Sequence, residues 1–554
     1  MTDGLGLGDA YSATLSRIKG QGGEKARLGM AALMWISHSE RPFRANELCH
    51  ALAVEVGSSN LNSDNVPSIG TLLACCQGLV AVDKETSTVR LIHFTLQEHL
   101  RAQPELFVTA HSTMAETCLS YLNSHQVKAF STSPSSNPLY TPFLNYFSQD
   151  LPFLEYSSLY WGTHARRDLS DCAKVLALQL FGDYNNHISA KILLDKQRRY
   201  SFFVDFNKPS LFTGLHCASL FGIVEIVDSL VGVEGYNINQ EDCVGNTPLL
   251  WAVSGRHEGV VKVLLERDGV DPNKTNNDGQ TPLSRAARNG YEGVMKVLLE
   301  RDDIDPNKPD NEGQTPLGRA ASDGHEGVVK ILLGRGDISP DKLDNNGWAP
   351  LSLAAFSGRE EVVKTLLERG DVCPDGLDNS MTPLCCAAWH GHGGVVKMLL
   401  ERADVNPNKL DADGQTPLRC AAWKGHEGVV KMLLERPDVN PNKLDTDGQT
   451  PLCCAAENGH EGVVKMLLER DDVYPDKPDA GGRTPLWSAA KNGHKGAVEI
   501  LLERRDVDPD KPDNDGQIPL SCAASNGHEG VVQMLIGRHN VNPDKPDNGG
   551  EASL

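Results

Sequence analysis

If this chain of 554 residues carries out chemistry, its histidines, cysteines and glycine–lysine clusters must do it, and each can be held against the spacing that chemistry requires. Five His-Glu pairs recur, at His257-Glu258, His325-Glu326, His426-Glu427, His460-Glu461 and His528-Glu529. A zinc hydrolase of the H-E-x-x-H type needs a second histidine one helical turn later, so that two imidazoles share a face and the glutamate serves as base. Val261, Val329, Val430, Val464 and Val532 stand there instead. The fourteen cysteines include the adjacent pairs Cys75-Cys76, Cys385-Cys386 and Cys453-Cys454 and no C-x-x-C. Neighbours on a helix project about 100° apart, which suits one zinc ion poorly, so reduced, packed thiols are the better account. A phosphate cradle would read G-x-x-x-x-G-K-[ST]; Gly20 to Lys25 (GQGGEK) has neither that spacing nor the hydroxyl that holds magnesium. The chain is therefore read as non-enzymatic, with no catalytic residues, cofactor or metal.

The elements that would position such residues are repeated. Thr-Pro-Leu or a near relative recurs at Thr247, Thr281, Thr315, Ala349, Thr382, Thr416, Thr450, Thr484 and Ile518, after a degenerate copy at Thr213. Every step is 34 residues except one of 33, from Ala349 to Thr382. The copy from Asp411 to Lys443 shows the mechanics. Its D-x-D-G stretch is a turn, with Gly414 free to take positive φ. Thr416 caps a helix whose first turn holds Pro417, where a missing N–H costs nothing. Leu418, Ala421 and Ala422 give that helix a narrow apolar face, Gly425-His426 breaks it, and GVVKMLLER supplies the return helix. The unit is a hairpin turn and two antiparallel helices. One copy cannot bury its own apolar face, so stability must come from stacking on neighbours.

These copies resemble ankyrin repeats, whose T-P-L-H-x-A signature and period match over 205–545. The signature histidine survives only at His216; Leu250, Ser284, Gly318, Ser352, Cys385, Arg419, Cys453, Trp487 and Ser521 replace it, so its hydrogen bonding cannot be carried over. The resemblance implies that hairpin tips and first-helix ends line the partner-binding face. Transferring those positions gives Trp348, Phe356, Trp389 and Trp423, with His390, Arg419 and Lys424 nearby as a polar rim. Equivalent positions hold Gln280, Arg288, Gln314, Ser322, Gln449, Glu457, Lys491 and Ser525, all polar. Exposed aromatics anchor interfaces, although such rings also fill space between repeats.

The first two hundred residues read differently. Residues 10–35 and 45–56 have helical patterns separated by the turn SERPF. A third helix follows, then alternating runs at 78–83 and 89–94 that predict a β-hairpin. This is the order of a winged helix. SERPFRANELCHALAVE, CCQGLVAVD and VRLIHFTLQEHL resemble the winged helix that follows the NACHT module in fungal NACHT–ankyrin proteins, which are NLR-like signalling ATPases. PFLEYSSLYWGTHARRDLSD at 152–171 resembles the helical segment after it. The resemblance implies a sensing arm, and a nucleotide-sensing role for His93 if a nucleotide-binding module accompanies it. On its own residues His93, set on a half-buried strand, reads as a hydrogen-bonded core side chain.

The organisation expected is an all-α ankyrin solenoid with a small winged-helix domain at 10–108. A helical connector at 109–204 leads to ten repeats at 205–545 and the truncated start of an eleventh at 546–554, as in a fragment of a longer chain. The net charge of −21 is concentrated in the repeats: residues 1–200 carry 17 Lys and Arg against 18 Asp and Glu, and the remainder 36 against 56. An acidic field repels phosphate backbones, so protein is the expected partner, not nucleic acid, a membrane or a small-molecule substrate. No apolar run reaches the roughly 18 residues of a membrane span and no secretory leader is evident, so the chain is expected inside the cell, cytoplasmic in preference to nuclear. The leading function is a non-enzymatic protein-binding scaffold or sensor arm. The alternatives are the sensing half of a NACHT-type NTPase whose catalytic module lies elsewhere, and a winged-helix DNA-binding regulator.

Overall fold

The computed structural model describes residues 6–132, 150–197, 211–233, 236–376, 381–538 and 541, and its chain forms two compact units. Residues 1–277 with 297–303 make one, and residues 278–296 with 304–554 the other.

In the first unit, the segment expected as one helix over 10–35 forms two, Leu7–Gly20 and Gly23–His38. Gly22 and Gly23 both adopt positive φ and end the helical path between them, a signal that the surrounding apolar periodicity had masked. Helices Ala45–Ala53 and Ile69–Cys75 follow, then the strands Val80–Val82 and Val89–Leu91, which pair antiparallel with Val80 opposite Leu91. This is a helical core with a two-stranded wing. Glu47 is buried there because Arg41 grips it through both guanidinium nitrogens, at 2.7 and 2.8 Å. Trp35 meets Phe43, Phe153 and Tyr156 edge-on, and this aromatic cluster joins the winged helix to Leu154–Arg167. On the far side of that helix, Gly162 leaves room for Phe221 of the first repeat, and Trp161 packs edge-on to the same ring.

Among the described residues, ten pairs of short antiparallel helices make the repeats, from Gly214–Phe221 and Val224–Val231 to Pro519–Ser525 and Glu529–Ile536. The Thr-Pro-Leu caps behave as their chemistry requires: Thr416 Oγ1 accepts the Arg419 amide at 3.1 Å, and Thr450 that of Cys453 at 3.1 Å. Ala349 and Ile518 cannot accept and leave their helices without a side-chain cap. The expected start of an eleventh repeat lies outside the described residues.

Three ladders of polar contacts, each with the repeat's own period, tie neighbouring copies together in the second unit. Arginine after the second helix chelates an aspartate two residues on and donates to the last carbonyls of the preceding copy, as in Arg470 to Asp472 and to Leu434 O at 3.0 Å. Hairpin asparagine forms the second ladder. Asn442 donates to Asp472 O at 2.6 Å and accepts from the Tyr474 amide at 2.8 Å. Histidine after the helix break forms the third. His494 Nε2 donates to Glu457 O and His528 Nε2 to Lys491 O, both at 2.9 Å. The acceptors are carbonyls, so Nε2 must carry the proton.

Candidate functional site

The aromatic positions fall on consecutive copies of the second unit, where the period puts them. Trp348 ends a hairpin, its amide donating to Asp344 Oδ1 at 2.9 Å, and Phe356 ends the helix Pro350–Phe356. Trp389 and Trp423 sit in the last turns of Pro383–His390 and Pro417–Lys424. Each of these helices is short because glycine follows it: Gly391 and Gly425 close them in the left-handed conformation, at φ of 74°. That geometry also admits the next copy's histidine. A Cβ at Gly425 would lie 2.5 Å from the His460 ring, inside any tolerable contact.

The recurrent histidines thus hold the site residues themselves. His392 Nε2 donates to Phe356 O at 2.9 Å, His426 to Trp389 O at 3.0 Å and His460 to Trp423 O at 2.9 Å. The glutamates after His426 and His460 open the return helices instead of serving as bases. Sequence spacing excluded zinc-hydrolase chemistry at these pairs but did not show this tethering. The signal was present, because the acceptor always lies 36 or 37 residues earlier.

Phe356 is 39% exposed, while Trp348, Trp389 and Trp423 are half-buried. Trp348 meets Phe356 edge-on at 4.8 Å, and Phe356 meets His390 at 4.1 Å. His390 is exposed, but its partial burial and the neighbouring His392, His426 and Lys424 lower its pKa below the ordinary histidine range, favouring the neutral ring. Lys424 Nζ lies 4.3 Å from the centre of the Trp389 ring, and the Arg419 guanidinium 5.0 Å from that of Trp423. The arrangement is a Trp348–Phe356–His390 cluster followed by two tryptophans each faced by a cation.

Arg419 does not stand on the rim. It is 7% exposed, with Nε 2.9 Å from Asp445 Oδ2, and therefore supports Trp423 from beneath. Lys424 and His390 are exposed as a rim requires. Leu410 and Leu444, at one hairpin position, and Tyr474 are further exposed apolar side chains of this unit. Copy-by-copy alignment offers the signal, since the same position holds Pro309, Pro478 and Pro512 in other copies.

The lost signature histidine is replaced in function as well as in type. His216 Nε2 donates to Asn246 O at 3.2 Å. Thirty residues on in each case, the Cys385 thiol reaches Gln415 O at 3.5 Å and Trp487 Nε1 reaches Gln517 O at 3.1 Å. Different donors therefore serve one hairpin carbonyl.

His93 lies beyond the wing strand instead of on it. The strand ends at Leu91 and His93 caps Phe94–Arg101, its Nδ1 accepting from the Thr95 amide at 3.3 Å. The side chain is exposed beside Ile92 and the 68%-exposed Phe94, and it lines a hollow with Arg41 and Arg90. The core-residue expectation fails because the chain turns into its helix two residues early.

The helix before the wing, Ile69–Cys75, contains no cation, Arg41 is held by Glu47, and Arg90 pairs with Asp83 at 3.3 Å. No helix among the described residues is long and apolar enough to cross a membrane.

A family model described as GPI inositol-deacylase, winged helix domain, matches residues 17–110, where the helices and wing lie. No curated protein matches the chain. A model described as ankyrin repeats (3 copies) matches six overlapping stretches that together run from residue 215 to 547, more than half of the sequence. The chain belongs to the ankyrin-repeat family.

Proposed function

We propose that this protein is a recognition arm that binds another protein through the surface built by Trp348, Phe356, Trp389, His390, Trp423 and Lys424, with Arg419 as its buried support. One observation carries the reading: consecutive copies place aromatic side chains at positions that are polar in neighbouring copies, and hold them in fixed, partly exposed geometry. A ring faced by a cation, on a main chain held by a histidine, loses little entropy on binding, which is what an interface anchor needs. Half-exposed aromatics in an acidic array favour protein over nucleic acid.

The test is capture from native cell extract with the wild-type chain and with a Trp389→Ala/Trp423→Ala variant of matched thermal stability, read by mass spectrometry. A specific protein retained by the first and lost by the second supports the surface. Identical bound sets would make the aromatics structural.

A second reading is favoured by the winged helix. The chain is the sensing half of a NACHT-type, NLR-like NTPase, and the exposed His93, Phe94 and Ile92 face a nucleotide-binding module. An NTP-binding polypeptide co-purifying with the chain, and released by His93→Ala/Phe94→Ala, is the expected result. Retention of that polypeptide by the variant would remove this reading.

A further inference from the structure

Most hairpins open with an aspartate whose Oδ1 is consumed by the turn, and in several copies its second oxygen is satisfied by a donor specific to the copy. Trp251 Nε1 serves Asp242 at 2.8 Å, Arg319 serves Asp310 at 2.7 Å, Arg419 serves Asp445 at 2.9 Å and Arg483 serves Asp479 at 2.9 Å. Asp411 departs from this pattern. Its Oδ1 accepts the amides of Asp413 and Gln415 at 3.0 and 2.8 Å, and no amide or cation is hydrogen-bonded to Oδ2 among the described residues. The residue is nevertheless buried, 7% exposed. Around it stand the thiols of Cys385 and Cys420, from the helices on either side, with all three ligand atoms within 4.8 Å of one another.

The next copy shows what this slot holds. Moving each position 34 residues on gives Arg419, Asp445 and Cys454, and there the first position supplies a cation to the carboxylate. At Cys385 that cation has been replaced by a soft ligand. We propose that Cys385, Cys420 and Asp411 bind one thiophilic divalent cation, of which zinc is the type, between the sixth and seventh repeats.

The pair concerned is Cys385 with Cys420, on neighbouring helices, and not the sequence-adjacent Cys385-Cys386 that geometry disfavours. Tetrahedral zinc, with bonds of about 2.3 Å to sulfur and about 2.0 Å to oxygen, requires ligand atoms roughly 3.5–4 Å apart, a closure of up to about 1.3 Å from the present spacing. Gln415 supplies a fourth oxygen: its main-chain carbonyl lies 3.5 Å from Cys385 Sγ and its Oε1 3.4 Å from Cys420 Sγ. Loading releases one proton from each thiol, while Asp411 enters as carboxylate. Burial raises the Cys385 thiol pKa, so zinc competes with protons and affinity falls on acidification. Cys385 lies one helical turn before Trp389 and Cys420 three residues before Trp423, so the ion would fasten together the two helices that carry those rings.

The test uses the full chain, reduced and stripped of metal, equilibrated with zinc at neutral pH and desalted, with bound zinc measured per chain. Cobalt then serves as a spectroscopic probe for thiolate charge-transfer absorption. The expected result is one retained zinc, lost in Cys385→Ser and in Cys420→Ser and kept in Cys386→Ser and Cys453→Ser. Asp411→Asn, which preserves size, is expected to weaken retention while circular dichroism stays unchanged, so the assignment does not depend on the cysteine variants folding. No retained zinc in the wild type, or equal retention in Cys385→Ser and Asp411→Asn, would overturn it.

Discussion

The hairpin ladder uses asparagine in some copies and aspartate in others, and the difference has a cost. Asn307 and Asn408 each donate Nδ2–H to a carbonyl thirty residues on, both at 2.6 Å. Asp341 and Asp476 accept the next copy's amide at 2.9 and 2.6 Å, but their Oδ1 atoms are buried without a partner. Burial accordingly raises both pKa values. A carboxyl whose folded pKa is raised favours the folded state most below its unfolded pKa, and that support is lost as pH rises through the folded value. At neutral pH the aspartates therefore weaken the fold. Replacing both with asparagine is expected to stabilise by about 1 kcal/mol each in urea unfolding at neutral pH, with the gain shrinking on acidification through the carboxylate range. No gain at neutral pH would show that the Oδ1 atoms are solvated.

At the scale of the element, two positions test the caps and the breaks. Ala349 occupies the place of a capping threonine, and Ala349→Thr is expected to stabilise by about 0.5–2 kcal/mol, read as a higher midpoint in thermal or urea unfolding. Gly425→Ala is expected to cost about 1–3 kcal/mol or more, because it adds a left-handed alanine to a collision with the His460 ring. Much at this scale was legible in the sequence. Thr-Pro-Leu, the glycine breaks and the apolar return helices repeat often enough that each copy confirms the others. Isolated features fared worse. The break at Gly22-Gly23 occurs once, within a run whose apolar spacing continues on both sides, and the helix that displaces His93 from its strand begins at a residue with no strong cap signature. The tethers of Trp389 and Trp423 by His426 and His460, and the burial of Arg419 by Asp445, depend on partners 26 to 37 residues away. Local patterning does not show such partners; the repeat period does, once the interlocking of copies is known.

Considered as a whole molecule, the chain joins a winged helix and its helical connector to an acidic repeat array whose most distinctive surface lies in the middle copies. In the second unit, neighbouring copies are tied by recurring arginine, asparagine or aspartate, and histidine ladders, so stability there is spread over many similar contacts instead of a single core. Such an array can vary its surface residues without altering its frame, which is how Trp389 and Trp423 occupy positions held by Glu457 and Lys491 in later copies. The central claim is that these rings bind a protein. Its most direct measurement is titration of the captured partner onto the wild-type chain and onto Trp389→Ala/Trp423→Ala, with circular dichroism and the unfolding midpoint matched. The expected loss is about 2–4 kcal/mol, or roughly 30- to 1,000-fold in Kd. An unchanged Kd would contradict it and return the two tryptophans to a purely structural role.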